Sequence, residues 1–271
     1  MRLQNILSKT SFILVIFLIV SQYVSGQILT VDKLEKQDTS KHQNFFTNLD
    51  FGFNFIQEEV SILDLKTSAE LTYFLKKDLI YSITQYNLAA TDKVNYLNAG
   101  YTHLRYRINN ESKVSPEFFG QYQWDGVRGM KNRALGGSNL RFTIISDSSF
   151  SFYAALGAMY EYEVWDYRGV PDDKVPVNSS DEYTSYIKLN SYFKINKQFS
   201  KNAKLIFITY IQARPDNNII YPRISPSLKL NFNISKKVSF TVNFSSIYDF
   251  DPIVPIRNFY YSFSNTIQVR I

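Results

Sequence analysis

Ser115 to Gly137 reads S-P-E-F-F-G-Q-Y-Q-W-D-G-V-R-G-M-K-N-R-A-L-G-G, and its phase decides the fold. Along an extended chain, successive side chains point to opposite faces. The even positions then present Phe118, Gly120, Tyr122, Trp124 and Gly126, while the odd positions mostly present Glu117, Gln121, Gln123 and Asp125. A strand with one aromatic and one charged face sits between two unlike solvents. Either the aromatic face enters the core of a soluble sandwich, or it meets lipid while the polar face lines the lumen of an outer-membrane barrel.

The same alternation returns from Phe45 to the end and predicts twelve strands. Near 48–56, Leu49, Phe51, Phe53 and Phe55 oppose Asp50, Gly52 and Asn54; next, Leu63, Leu65, Leu71 and Tyr73 oppose Asp64, Lys66 and Glu70. The third segment, 79–86, has no clear phase. In the fourth, 94–108, Tyr96, Leu104 and Tyr106 oppose His103, Arg105 and Arg107. Ser115 onward supplies the fifth. The sixth, from about Arg133, sets Leu140, Phe142 and Ile144 against Asn139, Arg141 and Thr143, and the seventh sets Phe152, Leu156, Tyr160, Tyr162 and Val164 against Ser151, Glu161 and Glu163. In the eighth, Ile187, Leu189 and Phe193 oppose Lys188, Asn190 and Lys194. The ninth, 204–213, is apolar on both faces in its middle. The tenth and eleventh alternate again (Leu228, Leu230 and Phe232 against Lys229 and Asn231; Phe240, Val242 and Phe244 against Thr241 and Asn243), and the last, from Phe259, runs to Ile271.

Connection lengths test this reading, because such barrels alternate short periplasmic turns with longer outer loops. The short side is predicted at 76–78, 109–113, 146–149, 196–202 and 236–237; the outer side includes 166–181 and 249–257, with a short first connection at 57–60. Twelve half-apolar strands would need a very large soluble core. Aromatics near strand ends (Tyr73, Tyr106, Phe118, Tyr162, Trp165 and Phe259) suit the girdles of a membrane interface. The expected fold class is therefore all-β, a transmembrane antiparallel up-and-down β-barrel of about 12 strands, of the bacterial outer-membrane type.

Composition agrees. The 271 residues hold 22 Phe and 20 Tyr but 2 Trp, which suits strands and interfaces, and no Cys, which excludes disulfides, thiolate metal sites and cysteine nucleophiles. The formal charge of +6 is scattered, with no basic run interleaved with exposed aromatics, so nucleic acid is not an expected partner. Residues 1–26 carry Arg2, Lys9, an apolar run of about nine residues from Phe12 to Val20, and Val24-Ser25-Gly26. This is the pattern of a signal peptide cleaved before Gln27, and the run is too short for a membrane helix, which needs about 20 residues. Residues 27–44 are expected to form a periplasmic leader and 45–271 the barrel. A terminal strand of this kind is also an assembly signal, although such signals usually end in Phe and this one ends in Ile271. The expected partners are outer-membrane lipid, lipopolysaccharide and the barrel assembly machinery; oligomeric state is left open.

P-E-F-F-G-Q-Y-Q-W-D (116–125), R-A-L-G-G (133–137) and G-A-M-Y-E-Y-E (157–163) together resemble the YdiY-like family of salt-induced outer-membrane proteins. The resemblance is strong over the fourth to seventh strands and architectural elsewhere. It implies an outer-membrane barrel of unknown function and carries over no catalytic residue.

The predicted lumen phase gathers Arg105, Arg107, Glu117, Asp125, Arg133, Arg141, Glu161 and Glu163. Opposite charges at similar depth would pair inside a narrow barrel and plug it, because unpaired ions there are costly. Alternatively they line a polar path that tunes passage of small solutes or ions. A third reading is a closed scaffolding barrel that uses 166–181 as a binding loop. Enzymes of this architecture need a base beside a nucleophile. Of the two histidines, His42 falls in the leader, which leaves His103 as the one candidate for an outer-membrane lipid hydrolase. No H-E-x-x-H, G-x-S-x-G or phosphate-loop motif is present, and no cofactor or metal is expected.

Overall fold

Alternation becomes pairing in the computed structural model, which describes residues 44–57, 61–91, 95–235 and 238–269. Twelve strands follow one another: β1 (Phe45–Gln57), β2 (Ser61–Leu75), β3 (Asp78–Thr91), β4 (Asn95–Arg107), β5 (Val114–Asp125), β6 (Met130–Ser146), β7 (Phe150–Trp165), β8 (Glu182–Ser200), β9 (Ala203–Ala213), β10 (Arg223–Asn233), β11 (Val238–Asp249) and β12 (Phe259–Val269). Each is antiparallel to the next in a single sheet whose order is the sequence order. This is the expected all-β, up-and-down architecture. Side chains of β5 bond those of β8, β6 those of β9, and β7 those of β10, so the sheet is rolled with one face inward. Among the described residues no ladder joins β12 to β1.

The outward face carries the apolar set. Leu104, Phe118, Leu140, Leu156, Tyr160, Ile187, Phe193 and Ile267 are all exposed. Soluble monomers rarely expose apolar patches beyond a few hundred Å². A belt of this kind that reaches round the sheet is what a lipid-facing surface would carry, whereas a soluble sandwich would bury these side chains. Tyr73, Phe118, Tyr162 and Phe259 face outward near strand ends as the girdle reading requires. Trp165 does not. It is buried among Met130, Val170, Val254 and Ile256 on the lumen side, because odd positions of β7 point inward. Val164 is also buried, although its phase predicts the lipid face.

The two segments without clear phase are now explained. Leu79, Tyr81 and Ile83 of β3 pack inward with Tyr101, and Ile208 and Tyr210 of β9 pack inward with Ala155 and Tyr192. Where the interior is itself apolar, both faces of a strand become apolar and the period-two signal vanishes.

Connections at one end are short: 76–77, 108–113, 147–149 and 201–202. At the other lie 166–181, 214–222 and 250–258. The predicted 196–202 turn is corrected, since β8 continues to Ser200 by pairing Gln198 with Lys204 and absorbing an irregularity before Ser200. Similarly, β3 extends to Thr91 and β6 begins at Met130, three residues before the predicted start. The stretch from Ser115 to Gly137 is thus most of β5, a turn, and the first half of β6. That turn is tight because Asp125 accepts from the backbone N–H of Arg128 (3.3 Å) and Gly129 takes φ +82°, a left-handed conformation with no cost for glycine. The predicted signal peptide (1–26), nearly all of the predicted leader (27–44), residues 58–60, 92–94 (with the predicted start of the fourth strand at 94) and 236–237, and the last two residues of the closing strand lie outside the described residues.

Candidate functional site

All eight predicted lumen charges are buried, none more than 5% exposed, and the structure gathers most of them into two groups at different depths. The ladders explain this. Odd positions of β4 to β7 point inward, and each antiparallel neighbour places its own odd positions opposite them: Arg107 faces Glu117, and Arg133 faces Glu163.

Nearer the short turns, Glu117 is the acceptor at the centre of the first group. Arg107 Nε donates to its Oε1 at 2.6 Å, Arg105 Nη1 to its Oε2 at 3.3 Å, and the hydroxyl of Tyr192 reaches both oxygens at 2.9 and 3.0 Å. Arg105 lies 5.5 to 5.7 Å from the ring centres of Tyr81, Phe119 and Tyr192, an aromatic cage that stabilises a desolvated guanidinium. Arg141 stacks 3.9 Å over Tyr153.

Nearer the long loops, the second group is a continuous layer across seven strands. Arg133 on β6 bonds Glu161 and lies 3.0 Å from Glu163 on β7, and donates to Gln123 on β5 (3.3 Å) and Gln212 on β9 (3.0 Å). Lys188 on β8 bonds Glu161. Arg223 on β10 reaches Glu163 at 2.9 Å and Asp249 on β11 at 2.7 Å. A guanidinium holding two carboxylates and two amides has its planar fork of donors almost fully used, which is how a buried charge becomes tolerable.

An apolar lid rests on this layer. Gln123 donates to the Sδ of Met130 (3.4 Å), and Met130 packs with Trp165 from the neighbouring strand end, Val170 from the 166–181 loop, and Val254 and Ile256 from the 250–258 loop. Arg128, paired with Asp125 at 2.8 Å, is held between the rings of Trp165 (5.9 Å) and Tyr260 of β12 (5.3 Å). Beside the lid, a cavity of about 260 Å³ opens among the loops; Tyr186, Arg214, Tyr221 and Asp251 line it, with Lys188 and Arg223 among its inner groups. Arg214 lies 4.2 Å over Tyr186 and is paired with Asp216, whose carboxyl is held below the usual range first by the backbone N–H of Asn218 and then by Arg214.

Lys188, Arg223, Asp249, Arg128 and Tyr192 were missing from the predicted network. The first two stand on the polar phase of their strands, a usable signal; Lys188 meets Glu161 on the adjacent strand, whereas Arg223 reaches Glu163 three strands away, a contact that depends on how the sheet rolls. His103 is buried between the rings of Phe119 and Tyr81, and its Nδ1 bonds Gln121 at 3.1 Å. The bonded partner is thus an amide, not the hydroxyl of a nucleophile. Among the described residues no cluster of three or more His, Cys, Asp or Glu could hold a metal.

No curated protein matches the chain. A solved structure, the NanC porin in a rhombohedral crystal form, is similar at 8% identity with a TM-score of 0.46, over 83% of this chain and 100% of that one. The model of a family described as "protein of unknown function, DUF481" matches residues 40–253, in line with the resemblance carried by 116–125, 133–137 and 157–163. The chain belongs to the DUF481 family of proteins of unknown function.

Proposed function

We propose that this chain is a closed barrel of the outer membrane of a Gram-negative bacterium, sealed against solutes, that acts as a structural element and presents its long loops and loop-side cavity at the cell surface. The observation that carries this reading is the layer of Arg133, Glu161, Glu163, Lys188 and Arg223. It spans β5 to β11 with none of these side chains more than 8% exposed as a residue, and the apolar lid lies on it. A dehydrated ion would have to break several charge-assisted hydrogen bonds to pass, each worth about 1.5–3 kcal/mol. The leader lies on the periplasmic side in this reading, the surrounding partners are lipid and lipopolysaccharide, and the last strand is the part offered to the assembly machinery. His103, bonded to an amide between two rings, has a packing role and no catalytic one.

One observation favours a second reading, a narrow selective channel. Along β2 the inward-facing Asp64, Lys66, Ser68 and Glu70 are only half-buried, and β1 is exposed on both faces at Gly52 to Asn54, so that wall is less tightly filled than β5 to β11. Swelling of liposomes containing the purified barrel, diluted into an isotonic pentose, separates the two. The sealed barrel leaves the light-scattering trace at the rate of protein-free liposomes; swelling that scales with protein content establishes the channel.

A further inference from the structure

The loop-side cavity has an ordered wall and a closed floor. The floor is the buried Lys188, Gln212 and Arg223, which belong to the ion-paired layer beneath. The wall comes from the start of β8 and from the connections 214–222 and 250–258. Bonds within the protein hold these segments in place. Arg214 donates twice to Asp216, at 3.0 and 2.8 Å, and lies over the ring of Tyr186. Asn218 donates its backbone N–H to Asp216 at 2.8 Å and its side-chain amide to Asp251 at 3.1 Å, which ties one loop to the other. Glu182 accepts from the hydroxyl of Tyr167 at 2.8 Å. A pocket whose side chains are already ordered loses little freedom when a ligand arrives.

The lining selects against a charged ligand. Three carboxylates, Glu182, Asp249 and Asp251, stand with three cations, Lys188, Arg214 and Arg223. Each cation already holds an acid: Lys188 bonds Glu161, Arg214 bonds Asp216, and Arg223 bonds Glu163 and Asp249. With neither sign in excess, a net charge on the ligand gains nothing from the lining as a whole. The groups left to bind are neutral or half-spent. They are the amides of Gln212 and Asn218, the hydroxyls of Thr184, Tyr186 and Tyr221, and the ammonium of Lys188, which has three donors and spends one on Glu161. A mixture of donors and acceptors suits a ligand rich in hydroxyls, which do both. The ring of Tyr221, 49% exposed, adds an apolar face for the C–H side of a sugar and a polar tip for its edge. A volume of about 260 Å³ falls below the roughly 300–1,000 Å³ of pockets that hold drug-sized ligands, so it takes one or two sugar rings and not a longer chain. We propose that this cavity binds a small neutral sugar, a hexose or a disaccharide of hexoses, with a ring against Tyr221 and hydroxyls on Asn218, Gln212 and Lys188. The proposal deepens the reading of the barrel as a surface element and rests on it only for the side from which the sugar arrives.

Saturation-transfer NMR on the full barrel in lipid nanodiscs, prepared without glycoside detergents, tests the site with D-glucose, D-galactose, D-mannose and maltose. A nanodisc leaves both ends of the barrel open to solution, so the result does not depend on the seal that liposome swelling measures. At least one of these sugars should take saturation from the protein. The matching uronate and amino sugar, which add a negative or a positive charge to the same ring, should bind no more tightly than the neutral sugar. Tyr221→Ala combined with Asn218→Ala should weaken binding by roughly tenfold, the loss of about one or two hydrogen bonds and a ring contact. The chain has no cysteine, so a nitroxide on Ile219→Cys, next to Asn218, gives a single label that should broaden the resonances of the bound sugar. That measurement decides the question should the double variant fail to fold. The methyl glycoside separates two sources: binding that survives it assigns the end of a surface glycan, and binding lost with it assigns free sugar. No transfer from any of the four neutral sugars, tighter binding of a charged analogue, unchanged binding in a folded double variant, or a bound sugar that the label leaves sharp overturns the proposal.

Discussion

Glu161→Gln tests the sealed layer most sharply by thermodynamics. Glu161 is 1% exposed, bonds Arg133 and Lys188, and lies 3.5 Å from Arg223 Nη1. The amide keeps the shape but removes the charge, leaving three cations to share Glu163 and Asp249. Breaking a buried pair from one side costs about 3–5 kcal/mol, whereas an exposed pair is worth about 0–1 kcal/mol. Lys131–Asp181 at the rim, with side chains 40% and 28% exposed, supplies the internal control through Asp181→Asn. The assay is urea unfolding in lipid vesicles read from the buried Trp165, in a Trp124→Phe background that removes the other tryptophan. A loss of about 3–5 kcal/mol that added salt does not erase, and partial recovery in Glu161→Gln/Lys188→Met, is the expected result. A loss below about 1 kcal/mol that shrinks with salt would mean that water and ions permeate the layer, and the reasoning fails.

Three further outcomes follow from the same geometry. A Cβ at Gly157 would lie 1.9 Å from the backbone oxygen of Ser138, so Gly157→Ala should lose the heat-modifiable folded band on a gel. Gly120→Ala, whose nearest neighbour is 3.9 Å away, should keep it. Wild type and His103→Ala should release fatty acid from outer-membrane lipid at the same background rate, and a rate that falls with the substitution restores the hydrolase. Asp216 has its carboxyl pKa depressed by the Asn218 N–H and Arg214, so the loop contact it makes is fully formed above the ordinary value of about 3.9 and is lost as pH falls through the depressed one. Carbon-13 NMR should place its titration below that of an unfolded aspartate, and a midpoint at or above the ordinary value contradicts the contact.

Legibility in the sequence followed the chemistry of the interior. Where the lumen is charged, as along Arg105, Arg107, Glu117, Glu161 and Glu163, one face of the strand is polar and the other apolar, so phase alone identified strands and buried charges together. Where the interior is apolar, at Leu79, Tyr81 and Ile83 or at Ile208 and Tyr210, no phase could be read, although the strands are there. Trp165 shows the converse limit, since an aromatic at a strand end suits a lipid girdle or an internal lid equally well until the loops are placed over it. The pairing of Arg223 with Glu163 crosses from β10 to β7, and that of Tyr192 with Glu117 from β8 to β5. Contacts of that kind depend on how far the sheet rolls, which local periodicity does not encode. The resemblance over 116–125, 133–137 and 157–163 pointed to the family, and the roles of the charges had to come from their geometry.

Single-channel recording in a planar bilayer reaches the central claim most directly. Purified barrel should leave the membrane silent across voltages and from low to molar salt, and Arg133→Ala combined with Glu161→Ala, which empties the centre of the layer, should introduce conductance steps. Steps from the wild type that persist with anion or cation selectivity, and that the double substitution merely rescales, would show that the paired charges line a path instead of closing it.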